Sequence, residues 1–187
     1  MNATTNPPTT SSGGTSSIAR KKGGAMAGRI EMRESVVIDA SAVDVFEFIS
    51  DGNNDPQWRT EVDRMDVKGE RVLGTLMIEY SSFFRFWHTV TPTQIKELNP
   101  PTRLVLETPE TNPTWLRSIR TVDRISVGSS RFAYELGFDL DAMKAITPVI
   151  PPRALIGAWY GRRIRRYLQN AKRIIEGRGP SLVRTST

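Results

Sequence analysis

Residues 131–140 show the most regular alternation of apolar and polar side chains in the chain. A period of two predicts a β-strand with one face buried and the other facing water. The predicted buried face consists of Phe132, Tyr134, Leu136, Phe138 and Leu140.

Shorter alternating segments predict the rest of the sheet. Turn signals separate them, including Gly69-Glu70, Asn99-Pro100-Pro101 and Gly128-Ser129-Ser130. The predicted strands lie at residues 30–39, 62–68, 74–80, 83–91 continuing into 94–98, 103–108 and 115–126.

Two short helices are predicted between the first two strands. Ser41 is a suitable N-cap, and Asp44 three residues later is an acidic substitute for the capping-box Glu. Pro56 suits an early position of the second helix, where its missing N–H is harmless. Trp58 follows directly and is predicted to be a core residue.

A long helix is predicted at residues 153–177, where apolar residues recur with a period of 3.6. This stripe has to pack against one face of the sheet, because no other surface is available to bury it. The prediction is therefore an α+β fold, with a curved antiparallel sheet of about six to seven strands around a long C-terminal helix. The stripe comprises Ile156, Trp159, Tyr160, Ile164, Tyr167, Leu168, Ala171, Ile174 and Ile175.

Composition divides the chain into one domain and two tails. Hydrophobic residues make up 38% of the 187 residues, a low share for a globular protein. Residues 1–28 are rich in Ser, Thr, Gly and Pro, which predicts a disordered tail. The folded domain is predicted at 29–178, followed by a flexible tail at 179–187. Met26 is a possible true start, because the ordered pattern begins just after it.

Charge is unevenly distributed along the chain. The net charge of +6 combines +4 in residues 1–29, −6 in 30–151 and +8 in 152–187. The run Arg162, Arg163, Arg165 and Arg166 is interpreted as the solvated side of the long helix. Specific nucleic-acid binding is not expected, since no RNP motif or zinc finger occurs. Weak contact of this helix with an anionic membrane is left open.

Several kinds of chemistry have no support in the sequence. The chain contains no cysteine and one histidine, which excludes thiol nucleophiles and disulfides and argues against a transition-metal site. No GxGxxG, P-loop or GxSxG motif occurs, so no cofactor is expected. No stretch approaches the roughly 18 apolar residues of a membrane span, and no secretory signal is evident, so a cytoplasmic location is expected.

Three stretches of this sequence resemble the helix-grip fold of the START-like, or SRPBCC, superfamily. They are residues 36–51 (VVIDASAVDVFEFISD), Pro56-Gln57-Trp58, and Gly74-Thr75 with the later segment 98–104 (LNPPTRL). The polyketide cyclase/dehydrase-type branch is nearest, and the resemblance covers residues 30–177. It implies an apolar cavity between sheet and helix. Members bind lipids, sterols, polyketides, hormones or quinones, and some are enzymes. No catalytic motif of the family maps onto this chain.

Six residues are predicted to contact a ligand in such a cavity. Tyr134 lies on the predicted inner face, and Trp115 is expected at the cavity mouth. His88 is the only histidine and the natural candidate for a general acid or base, but it also fits the wet face of a strand. The full set is Tyr80, His88, Trp115, Tyr134, Phe138 and Trp159.

Arg117 and Asp123 share the parity of Trp115 on one predicted strand. An inward orientation would bury two charges, so we interpret them as residues of the solvent face or of strand ends.

Three functions remain open at this point. The leading hypothesis is binding or carriage of a small hydrophobic molecule of the lipid, polyketide or quinone class. The alternative is an aromatase/cyclase-type enzyme, which requires His88 and a tyrosine hydroxyl to point into one pocket. The third is an interaction protein that docks through its basic helix. The sequence identifies neither the ligand nor the oligomeric state.

Overall fold

A computed structural model describes residue 1 and residues 28–83, 87–145 and 152–177 of the 187. The predicted N-terminal tail, apart from Met1 and Gly28, and the predicted C-terminal tail at 179–187 lie outside the described residues. The possible start at Met26 lies outside them as well.

A seven-stranded antiparallel sheet forms the body of the described chain. Its strands are β1 (Arg29–Ile38), β2 (Val62–Lys68), β3 (Leu76–Phe83), β4 (Trp87–Asn99), β5 (Arg103–Glu107), β6 (Leu116–Arg124) and β7 (Ser130–Asp139). Their spatial order is β1-β7-β6-β5-β4-β3-β2, so β1 and β2 are the two edges. The predicted α+β fold is confirmed, although Phe83 ends β3 instead of opening the next strand.

Two short helices follow β1, as predicted. Helix α1 (Ala42–Ser50) begins after Ser41, whose side chain accepts a hydrogen bond from the Asp44 N–H at 3.1 Å. A 3₁₀ turn at Gly52–Asn54 leads into α2 (Asp55–Trp58), which has Pro56 in its first turn. Trp58 is fully buried, which confirms its predicted place in the core.

The long helix α3 (Arg153–Gly177) has the bounds predicted from its apolar period. It lies along β1 and also contacts α1, α2 and β7. Side chains at both ends of α3 hold backbone carbonyls of β1: Arg153 donates to the carbonyl of Arg29, and Lys172 Nζ donates to the carbonyl of Val37 at 2.8 Å. Helix α3 is therefore fastened along one edge strand of the sheet.

The sheet has an inner face towards α3 and an outer face on the opposite side. Phe132, Tyr134, Leu136 and Phe138 are buried on the inner face of β7, as predicted. Leu140 does not share that position, because the strand ends at Asp139 and a 3₁₀ helix begins at Leu140.

No helix among the described residues combines the length and the apolar character needed to cross a membrane.

Candidate functional site

Tyr80 and His88 lie on the outer face of the sheet, away from α3. The Arg64 guanidinium stacks 4.1 Å from the centre of the Tyr80 ring. His88 is exposed, and its Nδ1 lies 2.8 Å from Ser82 Oγ, which donates to Asp63. These groups border an open pocket of about 310 Å³. Contact with a ligand stays a prediction for both residues, but the structure does not bring them to the interior.

Trp115 also lies on the outer face, where its ring covers Gly137 of β7. The Arg29 guanidinium is 4.0 Å from the ring centre, and the indole Nε1 donates to Glu107 Oε1 at 2.9 Å. A second open pocket, of about 360 Å³, borders this ring. Arg117 pairs with Glu107 at 3.5 Å on the same side, which confirms its interpretation as a residue of the solvent face.

The contact between Trp115 and Gly137 predicts a stability effect. A Cβ atom added at Gly137 would lie 2.9 Å from Cη2 and 3.0 Å from Cζ3 of Trp115. Ala ordinarily suits a strand better than Gly by roughly 0.5–1 kcal/mol. We nevertheless expect Gly137→Ala to lower the free energy of unfolding by about 1–3 kcal/mol in urea denaturation, because the ring has to move.

The control for this prediction is the same substitution in a Trp115→Ala background. With the ring removed, Gly137→Ala should be neutral or slightly stabilising. Equal effects of Gly137→Ala in the two backgrounds would show that Trp115 does not lie on Gly137.

The other three predicted residues lie between the inner face and α3 in two groups: Phe138 and Trp159 each contact Tyr160, whereas Tyr134 contacts Trp58. Tyr134 and Phe138 are buried on β7, and Trp159 is half-buried on α3. The ring centre of Tyr160 lies 4.9 Å from that of Phe138 and 4.7 Å from that of Trp159. Trp58 extends the aromatic contacts inward, with its ring centre 5.7 Å from that of Tyr134. The structure thus joins α3 to the sheet through aromatic rings.

A buried ion pair joins α2 to the inner face of β6. Arg120 donates to both carboxylate oxygens of Asp55, at 2.7 and 2.5 Å, and also to the carbonyl of Ile49. The side chains of Arg120 and Asp55 are 1% and 0% exposed. This bidentate pair is enclosed away from solvent and links α2 directly to β6.

Arg59 extends this pair towards β3. It donates to Asp55 at 3.1 Å and to both oxygens of Glu79 at 2.7 and 3.0 Å. Ser81 Oγ donates to the same Glu79 carboxylate at 2.7 Å. Burial alone would lower the pKa of Arg59, but Glu79 and the neighbouring acids raise it well above its ordinary value, so Arg59 remains a cation.

The distances from the Glu61 carboxylate to its neighbouring guanidinium groups are longer than those of Asp55 and Glu79. Its Oε1 lies 3.9 Å from Arg59 Nη2, and its Oε2 lies 3.5 Å from Arg163 Nε of α3. Glu61 is only 5% exposed. We call the set Arg59, Glu61, Glu79, Tyr160, Arg163 and Tyr167 the interior polar cluster.

Two tyrosines of α3, Tyr160 and Tyr167, lie close enough to Glu61 for its charge to act on their hydroxyl groups. Burial, and after it the negative charge of Glu61, raises the pKa of Tyr160 and of Tyr167. Both side chains therefore remain neutral phenols near neutral pH. The buried Tyr167 hydroxyl lies within hydrogen-bond reach of Glu61, and this contact also raises the pKa of Tyr167.

The charged residues of the interior were not predicted from the sequence. Arg117 and Asp123 were the charged residues of β6 considered for an inward position, whereas the buried charge of that strand is Arg120, which has the opposite parity. The inward position of Arg120 was predictable from the sequence, because Arg120 shares its parity with the apolar residues Leu116 and Val122. The carboxylates of Asp55 and Glu61 gave no such signal, since they lie outside the strands.

Comparison with known proteins agrees with this architecture. The family described as "Polyketide cyclase / dehydrase and lipid transport" matches residues 29–176, and the chain belongs to this family. A search of curated proteins finds no match.

Three solved structures illustrate the shared fold. A START superfamily protein from Mycobacterium smegmatis aligns with a TM-score of 0.64 and 12% identity, over 79% of this chain and 97% of its own. The Zhui aromatase/cyclase from Streptomyces sp. R1128 aligns at 0.63 and 13%, over 80% and 95%. Norcoclaurine synthase from Thalictrum flavum aligns at 0.55 and 11%, over 79% and 93%. At these identities the likeness shows the fold alone, and family and fold together support a ligand-binding domain.

Proposed function

We propose that this chain binds a small molecule with a largely apolar skeleton between α3 and the inner face of the sheet. The observation that carries the proposal is the aromatic set formed by Phe138, Trp159 and Tyr160 beside the interior polar cluster. Sites for small molecules typically combine apolar and aromatic walls with a few well-placed polar groups. The inner face and α3 supply both components at one place.

The polar components favour an oxygen-bearing ligand over a plain hydrocarbon chain. Buried donors without a hydrogen-bond partner among the described residues include Arg59 Nε and Arg163 Nε. Buried polar atoms normally have partners, and ligand oxygens would supply them. Of the lipid, polyketide and quinone classes, polyketides and quinones carry the most oxygen atoms on a compact skeleton, so they fit this interior best.

Catalysis by His88 is not part of this proposal. The aromatase/cyclase alternative requires His88 and a tyrosine hydroxyl in one interior pocket. His88 lies exposed on the outer face and approaches Ser82, whereas Tyr134, Tyr160 and Tyr167 lie on the inner side. Tyr80 and His88 do border one pocket, but that pocket is open and lies on the outer face, so it does not supply an acid–base pair to the proposed interior site.

Weak membrane contact through α3 stays a secondary proposal, as does a cytoplasmic location. Arg163 and Arg165 are engaged in pairs with Glu61 and Glu34. Arg162, Arg166 and Arg173 are exposed, and their spacing places them on one side of the helix. This stripe supports attraction to anionic lipids without any specific recognition.

The proposal predicts binding of a neutral apolar probe by the folded protein. We expect the fluorescence of N-phenyl-1-naphthylamine to rise on titration with the full chain. Trp159→Ala should weaken the affinity about tenfold, because loss of one aromatic wall removes roughly 1.4 kcal/mol or more of apolar contact. Native mass spectrometry of protein from its own host should show a co-purifying small molecule.

The matched control is Trp115→Ala, which removes the same side chain from the outer face. Its affinity for the probe should stay within about twofold of the unchanged protein. Absence of probe binding, or equal losses in both variants, would contradict a site between α3 and the inner face.

A further inference from the structure

We infer that Arg163 is a gate, whose side chain has to move aside each time a small molecule enters or leaves the proposed site. Arg163 contacts Glu61, Phe83 and Trp159 at once, and we call these four residues the Arg163 bridge. This role rests on the proposed function and adds to it the step that controls exchange with solvent.

The Arg163 bridge crosses from one side of the sheet to the other. Helix α3 lies along β1, whereas Phe83 ends β3, which is five positions away from β1 in the order of the strands. The Arg163 guanidinium nevertheless lies 5.4 Å from the centre of the Phe83 ring. Its Nε lies 3.5 Å from Oε2 of Glu61, which directly precedes β2 at the far edge. A single side chain of α3 therefore reaches over the inner face to the opposite edge.

The bridge lies on the solvent side of the aromatic set proposed to hold the ligand. The Arg163 side chain is 21% exposed, and its guanidinium lies 4.6 Å from the centre of the half-buried Trp159 ring. Behind Trp159, burial increases to Tyr160 and then to Phe138, which are 6% and 3% exposed. Movement of the Arg163 side chain would therefore open a way to these rings from solvent.

The contacts of the bridge are of a kind that breaks and re-forms easily. The ion pair with Glu61 is long, and Arg163 Nε has no hydrogen-bond partner among the described residues. Cation–π contacts at partly exposed sites are individually weak. Arg120, by contrast, is 1% exposed and holds both oxygens of Asp55 at 2.7 and 2.5 Å. Arg120 is thus fixed in the interior, whereas the Arg163 side chain is able to turn towards solvent.

A gate of this kind acts on rates more than on affinity. The bridge covers the site whether it is empty or occupied, so loss of the bridge accelerates entry and release by a similar factor. A direct contact between Arg163 and the ligand would instead act mainly on the release rate. Binding kinetics therefore distinguish the two roles of Arg163.

The experiment is stopped-flow fluorescence with the full chain and N-phenyl-1-naphthylamine, a probe that carries no oxygen to accept a hydrogen bond from Arg163. Arg163→Met removes the guanidinium and keeps an apolar stem. We expect its association and dissociation rate constants each to rise about tenfold, since two cation–π contacts and one ion pair no longer oppose opening. Phe83→Leu removes one ring of the bridge, and both of its rate constants should rise roughly threefold. Circular dichroism checks that the variants are folded.

The matched control is Arg165→Met, which removes a guanidinium of the same helix that pairs with Glu34 at 3.1 Å and is 59% exposed. Its rate constants should stay within about twofold of those of the unchanged protein.

Three results would overturn the gate and leave the proposed function standing. They are unchanged rate constants in both Arg163→Met and Phe83→Leu, faster release without faster entry in Arg163→Met, and an equal acceleration in Arg165→Met, which would indicate general loosening of α3. Failure of the probe to bind the unchanged protein would contradict the proposed function itself.

Discussion

Replacing Arg120 by Met is expected to lower the free energy of unfolding by about 3 kcal/mol or more. Asp55 is fully buried and would lose its bidentate partner, retaining, among the side chains that the structure describes, only the bond from Arg59. Removal of one member of a buried pair typically costs about 3–5 kcal/mol, because the remaining charge is uncompensated. Urea denaturation followed by circular dichroism measures the loss.

Two controls separate burial from charge. Arg103→Met removes a comparable pair with Glu97, at 3.0 Å, whose side chains are 34% and 35% exposed, and it should cost less than about 1 kcal/mol. The double variant Asp55→Asn with Arg120→Met should lose less than the sum of the two single losses. Strict additivity would mean that Arg120 and Asp55 do not stabilise each other.

Replacing Trp58 by Ala should lower the free energy of unfolding by about 3–5 kcal/mol, since the ring is fully buried and the vacated space cannot collapse completely. The ring packs edge-on against Phe132 at 5.8 Å, Tyr134 at 5.7 Å and Tyr167 at 6.4 Å between ring centres. Trp58 therefore connects β7 with α3. Thermal and urea unfolding should both report the loss.

The conservative comparison is Trp58→Phe, which keeps an aromatic ring and removes an indole Nε1 that has no hydrogen-bond partner among the described residues. It should cost clearly less than Trp58→Ala. Trp87→Ala is the exposed control, because Trp87 is 41% exposed on β4. A loss at Trp87 as large as that at Trp58 would contradict the central place of Trp58.

The elements with strong periodicity were predictable from the sequence. The bounds of α3 and the cap at Ser41 follow from local patterns that tertiary contacts do not change. The inner face of β7 was predictable for the same reason, since its apolar residues alternate without interruption.

The faces of β3 and β4 could not be assigned in the same way. Residues 87–93 read Trp-His-Thr-Val-Thr-Pro-Thr, so no apolar alternation indicates which side is buried. The predicted cavity positions of Tyr80 and His88 depended on that assignment, and the register of β3 with β4 places both on the outer face. Trp115 was predicted to contact a ligand because its ring is large. It shares the parity of Arg117, however, and both residues lie on the outer face of the sheet.

The candidate site was predictable in its aromatic part and not in its polar part. Tyr134, Phe138 and Trp159 follow from periodicity, whereas Glu61 precedes β2 and only tertiary packing brings it to Arg163 of α3. Long-range ion pairs of this kind have no signature in a single sequence.

The fastening of α3 along β1 has a consequence for association between copies of this chain. Among the described strands β1 pairs only with β7, so its other side would offer free backbone groups to a strand of another molecule. The side chains of Arg153 and Lys172 occupy the carbonyls of Arg29 and Val37 at the two ends of this strand. The helix that faces the proposed ligand thus also shields an edge strand from intermolecular pairing, and detachment of α3 would expose that edge to aggregation.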